Sequence, residues 1–170
     1  MQKNVKGKVD NVKKILILTL ALLMILPLAA CEGGSSGGKA YVFSYNGEDL
    51  KIDDKAQDVL DAIGTPLQSQ ELGTCGIGDK DKLFVYRDFR VETYQMKGVD
   101  YFYRISLLTD QVSTKEGVSI GDGEKAVLDA YGEPDRRDTT VFTYEAKGMN
   151  LLIHFDSNST VKSIVYMRAE

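Results

Sequence analysis

The side chains used most often for nucleophilic and metal chemistry are scarce in this chain of 170 residues. Its one histidine is His154, and its two cysteines are Cys31 and Cys75. His154 alternates with the core candidates Leu151, Ile153 and Phe155, which predicts a strand with His154 on its outward side rather than in a catalytic triad. Cys75 has no second free thiol to pair with, because Cys31 is expected to carry a lipid, as argued in the next paragraph. We therefore expect Cys75 to be buried as a small hydrophobic residue. The sequence therefore predicts no catalytic residue, no metal site and no cofactor, and a protein that is not an enzyme.

Cys31 lies in a different context, at the end of an apolar segment. A lysine-rich stretch precedes an apolar run over residues 15–26 that contains no charged residue. That run is shorter than the roughly 20 residues that a membrane-spanning helix needs, and it is typical of a signal peptide. The run leads into the sequence LAAC at 28–31, which resembles the lipobox of bacterial lipoproteins. The resemblance implies that residues 1–30 are a cleaved signal peptide and that Cys31 carries the lipid.

The residues that follow Cys31 are typical of a tether. Residues 31–40 are rich in glycine and serine, a composition that behaves as a flexible linker. Two acyl chains on one residue are sufficient for stable membrane anchoring, whereas one chain is marginal. We therefore expect membrane attachment through Cys31 on the extracytoplasmic face of a cell. A Gram-positive membrane is favoured, and a Gram-negative outer membrane stays open as an alternative.

The charge of the remaining chain excludes one class of partner. Beyond residue 30 the chain has 16 basic and 24 acidic residues. Nucleic-acid binding needs a cluster of basic residues against the phosphates. A domain with this acidic excess is therefore not expected to bind nucleic acid, and it should rely on the lipid rather than on charge to stay at a membrane.

An internal repeat organises the rest of the chain. The sequence VLDAIGTP at 59–66 recurs as VLDAYGEP at 127–134, an offset of 68 residues. Its apolar residues share one stripe of a short helix, the glycine ends the helix, and the proline two residues later prevents its continuation. We expect positive φ at Gly64 and Gly132, and we expect acids near each helix start, such as Asp53 and Asp122, to cap free amides.

Strand-like segments follow each copy of the repeat. Three are predicted after each helix, at 82–86, 89–94 and 101–108 in the first half and at 140–144, 149–155 and 161–167 in the second. Asn46-Gly47 between alternating runs predicts a hairpin before the first helix. The sequence thus predicts an α+β domain over 41–170, built from repeat one at about 41–109 and repeat two at about 110–170. We expect one continuous antiparallel sheet with the helices packed on one face.

This pattern resembles a known group of domains. The sequences SIGDGEKAV at 119–127 and YGEP at 131–134 resemble the repeat of β-lactamase-inhibitor-protein-like (BLIP-like) domains. They also resemble the small SmpA/OmlA-type outer-membrane lipoproteins. A tandem arrangement on a lipid anchor is similar to uncharacterised putative lipoproteins of Gram-positive bacteria, as are GTC at 73–75 and DKLFVY at 81–86. The first copy of the repeat lacks the leading glycine, and the resemblance implies a fold rather than a target.

Tyrosine is the feature that indicates a function. The chain has nine tyrosines and no tryptophan, and several alternate with arginines on predicted strands. Tyrosine is favoured in strands in any case, but it also provides contact area in recognition surfaces. Strand alternation predicts that Arg90, Tyr94 and His154 are exposed on the sheet face opposite the helices.

We therefore expect a non-enzymatic protein-binding or adaptor module whose partner is an envelope or secreted protein. The alternative is an inhibitor of a secreted hydrolase of β-lactamase or protease type, acting through a loop at 73–81. Small-molecule binding is a third and less favoured hypothesis.

Overall fold

The structure is a computed structural model that describes residues 40–73 and 78–169. The predicted signal peptide, the predicted lipidation site Cys31, residues 31–39 of the predicted tether and Cys75 lie outside the described residues. The residues described here fall within one unit, Gly38–Glu170. Within this part of the chain, no helix is long and apolar enough to cross a membrane.

Each helix is followed by four strands, so the prediction of three was wrong. The missed strands are β3 and β7, the two outermost strands of the sheet, which are exposed and lack the alternation that a buried face imposes. The elements are β1 (Phe43–Tyr45), β2 (Glu48–Leu50), α1 (Gln57–Ile63), β3 (Gln68–Leu72), β4 (Asp81–Val85), β5 (Phe89–Met96), β6 (Val99–Leu107), α2 (Glu124–Tyr131), β7 (Arg136–Arg137), β8 (Val141–Ala146), β9 (Met149–Phe155) and β10 (Val161–Arg168).

Eight of these strands form one antiparallel sheet in the order β3-β4-β5-β6-β10-β9-β8-β7. The last strand after each helix lies in the centre, and the first lies at an edge. The central pair β6–β10 is in register from Leu107 opposite Ile164 to Arg104 opposite Met167. The predicted α+β class and the continuous antiparallel sheet are therefore confirmed.

The core lies on one face of this sheet. Both helices contribute to it, through buried residues such as Leu60 in α1 and Val127 in α2. Strand β9 shows the one-sided burial clearly, since its residues alternate between buried and half-exposed along its whole length. The helices thus cover one face, as the sequence predicted, and the other face is left uncovered by them.

The N-terminal hairpin β1–β2 packs on the same face as the helices. Its turn is Asn46-Gly47, with φ of 52° and 86°, the pair of positive values that a tight two-residue hairpin requires. The Phe43 ring lies 5.0 Å from Phe89 and 6.2 Å from Tyr166, measured between ring centroids. Because Phe89 belongs to the first half and Tyr166 to the second, the hairpin packs against both.

Strand β6 pairs with β5 along one edge, and on its other edge it changes its partner along its length. Near its start it pairs with the segment before α1, through hydrogen bonds from Asp53 N to Phe102 O at 2.9 Å and from Phe102 N to Asp54 O at 3.0 Å. Near its end it pairs with β10 instead. Between these two parts of β6 the register against β5 shifts, so that Tyr103 has no residue of β5 directly opposite it. Such a bulge bends a strand and redirects its edge.

Neither helix start is capped by an acidic side chain, contrary to expectation. The N-cap residues are Ala56 and Gly123, and neither makes a side-chain capping hydrogen bond. Asp122 accepts a hydrogen bond from Ser119 N at 2.7 Å instead. Asp53 has a left-handed backbone with φ of 68° and turns its carboxylate toward other strands. The acids near the helices therefore shape the preceding loops rather than the helix termini.

Both repeat glycines adopt positive φ directly after a helix, as predicted. Gly64 has φ 101° and ψ −179°, and Gly132 has φ 78° and ψ −162°. With ψ extended, these values lie in a region that only glycine enters readily, which is not the left-handed helical cap that the sequence suggested. A Cβ at either position would meet no atom within 4 Å, so the requirement for glycine is conformational and not steric.

We predict that Gly64→Ala and Gly132→Ala each lower the free energy of unfolding by about 1–3 kcal/mol, because alanine is strained in this conformation. Urea denaturation followed by circular dichroism measures the change. Gly73→Ala is the matched control, since Gly73 also has open space around its Cβ position but no positive φ. Equal effects at Gly73 and Gly64 would contradict the conformational explanation.

Candidate functional site

The sheet face opposite the helices, called here the open face, is the candidate binding surface. Strand register places its side chains in rows that cross the sheet. One row contains Glu92, Arg104, Met167, Asn150 and Glu145. The next contains Arg90, Ser106, Val165, Leu152 and Thr143, and a shorter third row contains Ser163, His154 and Val141.

The centre of the open face is apolar. Leu152, Val165 and Met167 lie on the two neighbouring strands β9 and β10, and all three are partly exposed. Ser106 and Thr143, which flank Val165 and Leu152 in the same row, are only 3% and 5% exposed. Because both polar residues are covered, Val165 and Leu152 provide the exposed surface of the row between them. Such a surface can exclude water from a partner without binding a small ligand.

Charged pairs frame the apolar centre on both sides. On the first-half side, Arg104 and Glu92 are directly opposite and their charged groups lie 3.3 Å apart. On the second-half side, Arg136 and Glu145 lie 3.0 Å apart and are more exposed. Opposite charges directly across two strands, as in Arg104 and Glu92, stabilise the pairing of the strands modestly. The arrangement resembles the polar rim and apolar centre that protein interfaces commonly have.

A shallow groove of about 460 Å³ runs along the second-half side of this face. Its lining combines the apolar centre with the Arg136–Glu145 pair and the end of β10. The lining residues are Arg136, Glu145, Asn150, Leu152, Met167, Arg168 and Ala169. Met167 gives the groove a flexible wall that can adapt to the shape of an inserted side chain.

Arg90 lies where the sequence predicted it, exposed on the open face. Among residues 40–73 and 78–169 it makes no ion pair within 4.0 Å. A guanidinium without a carboxylate partner can bind a carboxylate of another protein in two parallel hydrogen bonds. Arg90 is thus the exposed cation of the open face that is most available to a partner.

His154 is also on the open face, half-exposed beside Ser163 and Val141. Burial lowers its pKa below the ordinary value, and the positive charge of Lys162 lowers the pKa further. The imidazole is therefore neutral at pH 7 and carries one donor and one acceptor nitrogen. These properties suit a polar contact within an interface.

Tyr94 is the residue for which the predicted exposure was wrong. Strand alternation places it on the same side as Arg90 and Glu92, but only 6% of it is exposed. Its ring stacks on Tyr101 with 5.5 Å between centroids, and the Arg168 guanidinium lies 5.2 Å from the centre of the ring. The prediction failed because these covering groups come from neighbouring strands that alternation within β5 cannot reveal.

The Tyr94 hydroxyl joins distant parts of the chain. It donates a hydrogen bond to Asp53 at 3.0 Å and accepts one from Arg168 at 2.7 Å, and Arg168 also contacts Asp53 at 2.9 Å. Burial raises the pKa of Tyr94, and the Asp53 carboxylate raises it further, so the hydroxyl stays protonated and can donate. This triad, unrecognised from the sequence, connects the segment before α1 with β5 and the end of β10.

The charged groups on the open face are paired across strands or exposed singly. In the described part of the chain, no cluster of three or more histidine, cysteine, aspartate or glutamate side chains could hold a metal ion.

Comparisons with known proteins bear on the fold. No family model and no curated protein matches the chain. Among solved structures, it is similar to an extracellular protein containing a SCP domain from Bacillus anthracis, with 14% identity, a TM-score of 0.51 and coverage of 69% of this chain and 44% of that one. The chain thus spans less than half of that protein's length. At this identity the likeness shows the fold alone.

Two further solved structures are similar at a lower level. One is a DUF4309 family protein (YjgB) from Bacillus subtilis, with 14% identity, a TM-score of 0.45 and coverage of 71% of this chain and 82% of that one. The other is the uncharacterized protein yfeY from Escherichia coli, with 15% identity, a TM-score of 0.43 and coverage of 70% and 93%.

We predict that Tyr94 contributes to stability and not directly to recognition. Tyr94→Phe should lower the free energy of unfolding by about 1–3 kcal/mol, because the charged partners Asp53 and Arg168 lose a buried hydroxyl. Tyr94→Ala should cost more, about 3–5 kcal/mol, because the ring is buried. Urea denaturation measures both.

The control for this prediction is Tyr103→Phe. Tyr103 is a half-exposed neighbour whose hydroxyl makes no hydrogen bond among the described residues. If Tyr94→Phe were as stable as Tyr103→Phe, the triad would contribute nothing to stability.

Proposed function

We propose that this protein is a lipid-anchored lipoprotein that presents a non-enzymatic protein-binding or adaptor domain on the extracytoplasmic face of a cell membrane. The observation that carries the binding proposal is the open face, with an apolar centre at Leu152, Val165 and Met167 and a charged rim. The anchoring proposal is supported by the lipobox-like sequence LAAC at 28–31. The partner is an envelope or secreted protein.

We also propose that the two halves are a tandem repeat of the BLIP-like type. Both copies of the octamer end a helix at a glycine with positive φ. Both helices are followed by four strands, and the strand order is symmetric about the β6–β10 pair. A duplicated unit that joins through equivalent last strands accounts for this symmetry, and it leaves one face of both copies open in the same direction.

The apolar centre of the open face is expected to contribute most of the affinity, because buried apolar anchors dominate protein interfaces. Leu152→Asp should weaken partner capture by tenfold or more, roughly 1.4 kcal/mol or above. The experiment is capture of envelope and secreted proteins by the detergent-solubilised lipoprotein, with the bound protein quantified by mass spectrometry.

Leu108→Asp is the matched control for Leu152→Asp. Leu108 is 43% exposed and follows β6 outside the open-face rows, so the same chemical change there should leave capture unchanged. Circular dichroism of both variants checks that they are folded. Equal capture by wild type and Leu152→Asp would contradict the open-face proposal.

The identity of the captured partner separates the two binding functions that the sequence left open. A stoichiometric envelope protein would support an adaptor. A secreted hydrolase whose activity falls on addition of the lipoprotein would support the inhibitor instead. In the second case the affected activity identifies the target class directly.

The anchor is tested separately from the binding surface. Cys31→Ser should abolish lipid attachment and release the protein from the membrane fraction, because the thiol is the site of acylation. Mass spectrometry of the mature N-terminus and fractionation of cells measure both effects. A wild-type N-terminus that lacks lipid, or one that begins at another residue, would contradict the anchoring proposal.

A further inference from the structure

The two copies of the octamer differ at the end of their helices, and the first copy borders a pocket. This pocket, called here the α1 pocket, has a volume of about 260 Å³ and lies between α1 and the end of β4. Its lining residues are Gln57, Leu60, Asp61, Gly64, Thr65, Pro66, Phe84 and Tyr86. The volume is below the range of drug-sized ligand sites but is sufficient for one long amino-acid side chain.

The charge of Asp61 is not neutralised within the described structure. Asp61 accepts a hydrogen bond from the Gln57 side-chain amide at 2.8 Å, and it makes no ion pair within 4.0 Å among the described residues. The repeat offset of 68 residues places Lys125 and Asp129 at the equivalent positions of the second copy. There the lysine forms an ion pair with the aspartate at 2.6 Å.

In the second copy Lys125 thus provides the cation for Asp129, whereas in the first copy the equivalent residue is the uncharged Gln57. The α1 helix also has no basic residue in its last turn. Among the lining residues of the pocket, Asp61 carries a negative charge and no lysine or arginine is present.

Tyr86 provides an observation that is independent of the acidic residues. It lines the α1 pocket, it is 6% exposed, and its hydroxyl has no hydrogen-bond partner in the structure. Asp61 lines the same pocket. A buried hydroxyl without a partner is costly and is found where a ligand or water completes it.

The rest of the lining is suited to an aliphatic stem. Leu60, Pro66 and the half-buried Phe84 present apolar surface. An aromatic ring also attracts a cation placed over its face. Acceptors and an uncompensated carboxylate at one side, with apolar walls elsewhere, match a cation on an apolar stem.

We propose that the α1 pocket binds an ammonium or guanidinium group carried on an aliphatic stem, with Asp61 as its counter-ion and Tyr86 as a further hydrogen-bonding group. Two sources share this chemistry: a lysine or arginine side chain of a protein, and a free aliphatic amine or guanidine. The α1 pocket is separate from the open face, so this proposal does not depend on the function proposed above.

The experiment titrates the full-length lipoprotein in detergent with defined probes and follows tyrosine and Asp61-region resonances by NMR. The probes are agmatine, cadaverine and short capped peptides containing one lysine or arginine. Capped norleucine and citrulline peptides are the uncharged controls. A single side chain gives weak binding, with Kd on the order of 1 mM. Tighter binding of the capped peptides than of the free amines would assign the site to a protein side chain, and the reverse order to a free ligand.

Three substitutions test the proposed groups. Asp61→Asn should weaken binding of the charged probes by about tenfold or more, and Asp129→Asn in the second copy is the matched control with no effect expected. Tyr86→Phe should weaken binding severalfold. Gln57→Lys should recreate the ion pair of the second copy and block the probes without reducing thermal stability, which separates loss of binding from loss of folding.

The proposal is overturned if charged and uncharged probes bind alike. It is also overturned if Asp61→Asn and Gln57→Lys, both folded by circular dichroism, bind the charged probes as wild type does, or if no probe causes a shift up to about 50 mM, well above the expected Kd. Leu152→Asp on the open face should leave probe binding unchanged, so failure here and failure of partner capture can be told apart.

Discussion

The pairing of β6 with β10 is the interaction on which the rest of this structure depends. It joins the two halves at the centre of one sheet, in register from Leu107 opposite Ile164 to Arg104 opposite Met167. Because the pairing ends at the bulge near Tyr103, the first part of β6 is free to pair with the segment before α1. That second pairing places Asp53 beside Tyr94 and Arg168. One strand with two successive partners thus connects both halves and the N-terminal segment.

Because the helices and the β1–β2 hairpin cover the same face of the sheet, the opposite face is left uncovered by them. The helices and the β1–β2 hairpin share one core, with Phe43 packed against Phe89 and Tyr166 from the two halves. The side chains of opposite parity then form a second surface that no described helix covers. Its centre is apolar and its sides are charged. The same alternation that builds the core therefore also builds the candidate binding face.

The two copies of the octamer show how one local structure can serve different purposes. Both end a helix at a glycine in a conformation that other residues avoid. In the second copy Lys125 neutralises Asp129, and Tyr131 packs against Tyr144 with 5.1 Å between ring centroids. In the first copy glutamine and isoleucine occupy the positions of Lys125 and Tyr131. The backbone geometry is kept, while the charge and volume beside the helix end are changed.

The sequence by itself determined the features that depend on local chemistry. Helix ends at Gly64 and Gly132, the hairpin at Asn46-Gly47 and the alternation of β9 follow from backbone conformation and periodicity, and they were predictable. The edge strands β3 and β7 were not, because strands exposed on both faces carry no apolar period. The site was predictable only in part. Alternation assigned Arg90 and His154 to the open face, but the burial of Tyr94 was decided by Asp53 and Arg168, which are 41 and 74 residues away in the chain. The contact with Asp53 requires β6 to pair with the segment before α1, and the contact with Arg168 requires β6 to pair with β10. The tertiary structure alone could therefore decide them.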